Sequence, residues 1–282
     1  MLLAQILLLS SCSRTEALES NSANLQTSAY NELASTEQVA AEGAAEHVLN
    51  NFLADILADA GIPEHISVNI LEKAVAGPAF IIDTLTVLQG DPYLRLLVDK
   101  KYALSSAYEP RDLVELTAGG SFTISRAGHR LREVAVVSLE EMAAAARVEG
   151  ITLMASSAYR SYAYQLGVYE RNVKQMGQEE TDRVSARAGH SQHQLGLALD
   201  FGSIDDSFAQ TAAGRWLKAN ASRFGWSLSY PQGYEEITGY RWESWHFRYV
   251  GKDLANYIDT YFTGIQQYAL QFLYTWERVG GL

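Results

Sequence analysis

Residues 191–200 read Ser-Gln-His-Gln-Leu-Gly-Leu-Ala-Leu-Asp, and residues 243–246 read Glu-Ser-Trp-His. Two histidines, an aspartate and a further glutamate thus stand in two short apolar settings. His193, Asp200 and His246 are the neutral or anionic donors of a catalytic zinc site, which keeps a fourth position for water. Glu243 is the spare carboxylate that can move the proton. Cys12 is the single cysteine, so a thiolate-rich metal site is excluded and histidine and carboxylate must hold any ion. Taken alone, each residue reads more readily as structural. Their coincidence beside glycine and small residues points to a metal. His190 competes as a ligand, but it stands in the loop-like Ala188-Gly189-His190. His47, His65 and His129 occupy polar or boundary contexts.

These residues dictate what the backbone must do. His193 and Asp200 are separated by an odd number of residues, which on one uninterrupted strand would put them on opposite faces. Both reach one ion only if the chain bends, and Gly196 supplies the bend. His193 is therefore expected in a turn and Asp200 in the strand that follows. Ala198 and Gly196 would share Asp200's face, and Leu197 and Leu199 would face the core. Within 245–250, His246, Arg248 and Val250 share one face, while Trp245, Phe247 and Tyr249 form the core face. Glu243 falls just before this strand. Upstream, Ser156-Ser157-Ala158-Tyr159-Arg160-Ser161 lies between an expected strand and helix, a common place for binding groups. Arg160 offers a planar fork for a carboxylate or a developing oxyanion, or pairs with an acidic surface residue. Gln165 can present its amide to the same pocket.

The chain has 282 residues, 48% hydrophobic and 20% charged, an ordinary balance for one or two folded domains. A net charge of -11 argues against a nucleic-acid partner. Residues 1–12 form a short apolar run ending in Leu9-Ser10-Ser11-Cys12, which resembles a signal peptide with a bacterial lipobox and makes Cys12 the lipidated residue. No Lys or Arg precedes the run. Residues 13–45 are rich in Ser, Ala, Glu, Asn and Gln and read as a flexible tether. Residues 46–90 read as a helical extension. Its first helix carries Val48, Phe52, Ile56 and Leu57 on one face and ends at Gly61-Ile62-Pro63.

The main domain is expected over 91–255. Ser138-Leu-Glu-Glu141 reads as a capping box opening a helix that Gly150 closes. A strand is expected at 151–155, a helix from Ser161 to Gly177, and a third helix from Ser207 to Gly225. Strands are expected at 226–230 and 245–250. Helices alternating with short strands, without a phosphate-binding glycine loop, indicate an α+β fold: a small, mainly antiparallel sheet flanked by helices and carrying a mononuclear zinc site. Residues 256–282 read as a C-terminal helix whose Tyr257, Tyr261, Ile265, Tyr268, Phe272 and Trp276 pack inward.

From about Leu94 to Gly251 the sequence resembles the D-alanyl-D-alanine carboxypeptidase family typified by the VanY-like enzymes, within the LAS group of zinc metallopeptidases. The resemblance rests on four stretches: Leu97–Lys101 with Tyr108–Val114, Ser157-Ala-Tyr-Arg-Ser161 with Gln165, Ser191-x-His193-x-x-Gly196-x-Ala198-x-Asp200, and Glu243-Ser-Trp-His246. Ala188 stands where relatives often have Pro. The resemblance implies one Zn2+ held by His193, Asp200 and His246, with Glu243 as general base and then acid. It implies that Arg160 stabilises the oxyanion or anchors substrate, and that Ser191 and Gln165 line the pocket. The implied activity is removal of the C-terminal D-alanine from peptidoglycan stem peptides. L,D-carboxypeptidase, D,D-dipeptidase or endopeptidase action on the same site are the alternatives, and a non-catalytic zinc or cell-wall binding module is a reading of another class. With the lipobox, this places the chain in the cell envelope, exported and anchored to the membrane through Cys12.

Overall fold

A computed structural model describes residues 43, 47–117 and 119–280. Cys12 with its apolar run, and the expected tether 13–45 apart from Gly43, lie outside the described residues. Helix α1 spans 47–59, followed by α2 (Glu64–Ala76) and α3 (Ala79–Gln89). The buried face of α1 runs through Leu53, Ile56 and Leu57, whereas Val48, expected on that face, is exposed.

Strand β1 (Leu113–Glu115) pairs with β3 (Arg130–Arg132) in a two-stranded antiparallel ribbon, and β2 (Thr123–Ile124) lies between them in sequence. Then come α4 (Glu133–Val148), β4 (Met154–Ser157), α5 (Tyr162–Met176), α6 (Gln178–Val184) and β5 (Ala198–Phe201). Helix α7 (Ala212–Asn220), β6 (Trp226–Leu228), the single turn α8 (Glu235–Thr238) and β7 (His246–Tyr249) follow. The chain closes with α9 (Lys252–Tyr261) and α10 (Gln266–Gly280). The main sheet has the order β2-β4-β5-β7-β6. Its β2–β4 pair is parallel and the other three are antiparallel, so the architecture is α+β with a small, mainly antiparallel sheet. Among the described residues, no helix is long and apolar enough to cross a membrane.

Among the described residues, two apolar cores form. Beneath the sheet, Leu197, Leu199, Phe201, Trp226 and Phe247 pack with Leu139 and Met142 of α4. The other core joins segments from opposite ends of the chain: Leu53, Ile56 and Phe80 of the N-terminal helices pack with Tyr257, Phe272 and Trp276 of α9 and α10. Phe80 lies edge-on to Tyr261, ring centroids 4.9 Å apart.

Four local expectations need correction. Ser138 is not a cap: α4 begins at Glu133, and the buried Ser138 hydroxyl donates to the Phe224 carbonyl and accepts from Trp226 Nε1. A serine before an apolar run reads as a cap until a tertiary partner claims its hydroxyl. The strand expected at 151–155 lies at Met154–Ser157. The third helix is capped by Thr211, whose Oγ1 accepts from Gly214 N at 2.9 Å, while Ser207 sits in a 3-10 turn over Asp206–Gln210. The single C-terminal helix is two, α9 starting at Lys252 and a break over 262–265 with Thr263 at φ 53. An uninterrupted apolar stripe conceals such a break, because the residues on either side are buried alike.

Gly214 sets the approach of α7 to the preceding turn. A Cβ there would overlap the Phe208 carbonyl. Glycine to alanine in a helix ordinarily gains roughly 0.5–1 kcal/mol. Gly214→Ala is instead expected to cost about 1–3 kcal/mol through overpacking. A urea melt with a lower midpoint and unchanged slope would show this, and a raised midpoint would refute it.

Candidate active site

Strands β5 and β7 are hydrogen-bonded neighbours, and their register sets Asp200 directly opposite His246. On an antiparallel pair, opposed side chains project from the same face. The aspartate and the second histidine therefore meet across the ladder, with His246 Nδ1 2.9 Å from Asp200 Oδ1. His193 comes from outside the strand. It lies in a 3-10 turn, Gln192–Leu195, capped by Ser191, whose Oγ accepts from the His193 amide. Gly196 then takes the left-handed conformation, φ 68, and turns the chain into β5. A Cβ at 196 would also lie 2.8 Å from Leu113 Cδ2, so both backbone angle and crowding demand glycine.

The His193 ring is oriented by Nδ1–H donating to the Ala158 carbonyl at 2.7 Å, which leaves Nε2 3.2 Å from Asp200 Oδ2. One donor atom each from His193, Asp200 and His246 falls within 4.8 Å of the others, and all three residues are buried. Two imidazoles and a carboxylate at that spacing are a donor set suited to zinc. Their protonation suits it too. Burial, with Arg160 nearby, pushes His193 down to about 4, so the ring is neutral at neutral pH. Burial works to raise the Asp200 carboxyl, but facing His193 and His246 outweighs it and holds Asp200 well below the ordinary carboxylate range.

Glu243 stands beside this group, in the turn that leads into β7. Its Oε2 is 3.7 Å from His246 Nδ1, and its backbone amide bonds the Tyr230 carbonyl. Burial, then the nearby Asp200 charge, push its carboxyl up to about 8. The linkage signs of the two shifted groups oppose each other in the metal-free protein. Glu243, raised when folded, contributes stability that is lost as pH rises through about 8. His193, depressed when folded, contributes stability that is lost as pH falls from about 6.5 toward 4. Glu243→Gln removes the first effect. Metal-free wild type is expected to lose more melting temperature than this variant between about pH 6 and about pH 9; parallel loss in both proteins would refute the assignment.

Arg160 follows β4 and enters the site rather than the surface. Its Nη2 donates to Asp200 Oδ2 at 2.9 Å and to Ser157 Oγ at 2.8 Å, and Nη1 donates to Gln165 Oε1 at 3.4 Å. Gln165 is buried and its Nε2 bonds the Ala186 carbonyl at 2.7 Å. Gln165 thus braces Arg160 as well as lining the pocket. A cleft of about 470 Å³ opens over these groups and includes Arg160, Gln165, Ser191, Glu243 and the three clustered residues. His190 stays outside: its Nδ1 meets the Asp99 carbonyl at 2.7 Å. His129 is buried against Ser125 Oγ, and His47 and His65 are exposed.

The sequence reading missed the aromatic wall of the cleft. The Tyr230 ring lies 4.8 Å from that of His246, and Tyr240 packs 5.0 Å behind it. Tyr240 comes from an irregular segment where no periodicity marks a face, and Tyr230 lies past the end of β6 at Leu228, although the strand was expected to run through it. Ser157 was visible only as part of a motif; the β4–β5 pairing sets it opposite Asp200, so that Arg160 Nη2 reaches both.

The chain has relatives among known proteins. The family model for VanY D-alanyl-D-alanine carboxypeptidases matches residues 128–252. The Bacillus subtilis protein "Putative carboxypeptidase YodJ" is 36% identical over 193 residues, covering 66% of this chain and 71% of YodJ. Among solved structures, the L,D-carboxypeptidase LdcB is 35% identical with a TM-score of 0.53, covering 60% of this chain and 85% of LdcB. A VanY D,D-pentapeptidase mutant in complex with Zn(II) is 28% identical with a TM-score of 0.53, covering 63% of this chain and 98% of its own.

Proposed function

Because the chain belongs to the VanY D-alanyl-D-alanine carboxypeptidase family, we propose that His193, Asp200 and His246 hold its zinc and that Glu243 and Arg160 work on the peptide beside it. The protein is a zinc carboxypeptidase acting on peptidoglycan-related peptides, and the D,D-carboxypeptidase reaction is the activity the family points to. The observation that carries the residue assignment is the buried His–Asp–His cluster with a carboxylate 3.7 Å from one of its donors.

When bound, zinc supplies Lewis acidity and a water acidified toward a pKa of about 7. Glu243 takes a proton from the attacking water. The oxygen adds to the carbonyl carbon of the terminal peptide bond, the C–N bond breaks, and Glu243 returns the proton to the departing amine. Arg160, held by Ser157 and Gln165, presents a fixed positive charge to the developing oxyanion or the substrate carboxylate. Ser191 shapes the pocket floor by holding the His193 turn.

The D,D reading has one serious competitor. LdcB, at 35% identity, is an L,D-carboxypeptidase. Incubation with a defined pentapeptide ending in D-Ala-D-Ala and with the tetrapeptide lacking the last residue separates them. Release of D-alanine from the pentapeptide supports the D,D assignment, and release only from the tetrapeptide overturns it. A non-catalytic zinc module fits less well, since it has no need of Glu243.

A substrate of this kind lies outside the cytoplasm, which supports placing the protein in the cell envelope. Leu9-Ser10-Ser11-Cys12 supports a lipid anchor at Cys12. Cys12→Ala is expected to move the protein from the membrane fraction to the soluble fraction; unchanged fractionation would remove the anchor from the proposal.

A further inference from the structure

His193 is oriented by a backbone carbonyl, but His246 is not. The far nitrogen of His246, Nε2, lies 3.2 Å from Gln192 Oε1. Gln192 Nε2 donates to Gln266 Oε1 at 3.3 Å, and Gln266 Nε2 donates to the Ser227 carbonyl at 3.3 Å. Ser229 Oγ donates to Gln192 Oε1 at 2.7 Å. Gln192, Gln266, Ser229 and His246 are all buried, at 3%, 1%, 3% and 3% exposure, so no bulk water can substitute for any of them.

The polarity of this chain of amides is set from its far end. The Ser227 carbonyl is backbone and can only accept, so Gln266 must turn its Nε2 toward it and its Oε1 toward Gln192. Gln192 must then offer Nε2 to Gln266 and Oε1 to His246. A carbonyl oxygen facing His246 Nε2 calls for a proton there, so with a metal bound the Nδ1 lone pair, on the side of Asp200 Oδ1, is the one left for the ion. Were Gln192 reversed, its amide nitrogen would face Nε2, the ring proton would move to Nδ1, and His246 could not offer that nitrogen to an ion. Gln266 opens α10, beyond the segment 128–252 that matches the family. The break in the C-terminal helix is what brings this residue to the metal site.

We propose that Gln266, acting through Gln192, is a positioning residue that selects the Nε2–H form of His246 and so prepares its Nδ1 as a zinc ligand. The inference rests on the metal assignment made above. The terminal helix pair is then a working part of the metal site as well as packing for the N-terminal helices.

The test uses the full chain and zinc alone, by competition with a chromophoric chelator. Gln192→Met and Gln266→Met are each expected to weaken zinc binding by about 10–100-fold. Because Gln266 acts through Gln192, the double variant is expected to lose no more than Gln192→Met. Wild-type affinity in Gln266→Met, or losses that multiply in the double variant, would overturn the proposal. Should Gln266→Met fail to fold, the wild type with nitrogen-15 histidine still tests the tautomer that the proposal requires. Its zinc-loaded form is expected to show His246 bound through Nδ1 with a slowly exchanging Nε2–H, and ligation through Nε2 would refute the idea. Failure of wild type to bind zinc would instead bring down the metal assignment, before any variant is compared.

Discussion

Glu243→Gln is expected to keep one zinc per chain and to lower kcat about 10²–10⁴-fold, the usual worth of a positioned general base. Glutamine fills the same volume and hydrogen-bonds, but it cannot accept and return a proton. The carboxylate is 3.7 Å from His246 Nδ1, close to the ligand group without joining it, so its removal leaves the three donors untouched. KM should change little, because the interaction lost is one made only as the bond breaks. Steady-state kinetics with metal analysis on the same preparation checks both halves. Turnover near wild type would take Glu243 out of the mechanism, and loss of zinc together with turnover would make it a ligand instead.

The second large effect is expected at Asp200, and it separates metal binding from folding. Asp200→Ala should abolish zinc binding and with it several kcal/mol of transition-state stabilisation, leaving activity at background. It should also destabilise the metal-free protein by about 3–5 kcal/mol, because Arg160 loses its buried carboxylate partner. That pair is 2.9 Å apart with Asp200 3% and Arg160 21% exposed at the side chain, so water screens it only in part. His246→Ala removes a ligand without unpairing the arginine. It is expected to match Asp200→Ala in lost activity and to melt higher without metal. Chelator treatment of wild type should reproduce the activity loss, and added zinc should reverse it. Equal melting of the two metal-free variants would show that the Arg160 pair carries no weight in folding.

Much of this site was legible because its chemistry is local in sequence. His193, Gly196, Ala198 and Asp200 lie within one short segment, and strand alternation together with a single flexible position already demands a turn followed by a strand. The same alternation put Phe247 and Tyr249 in the core and His246 opposite them, as the structure has it. Terminal boundaries were less legible. Ser138 and Ser207 carry the residue type of a helix cap, but a hydroxyl's role depends on which partner arrives, and for Ser138 that partner is the Phe224 carbonyl.

The amino-acid sequence by itself determined the candidate donor set, the candidate proton carrier Glu243, the arginine after β4 and the α+β class, because residue type and short-range periodicity express these directly. Only the tertiary structure decided that Arg160 pairs with Asp200, that Tyr230 and Tyr240 wall the cleft, and that Gln266 of the last helix reaches Gln192 beside His246. Those relations join positions on different elements through packing and buried hydrogen bonds. No local pattern encodes such contacts, because they exist only once the two cores have closed.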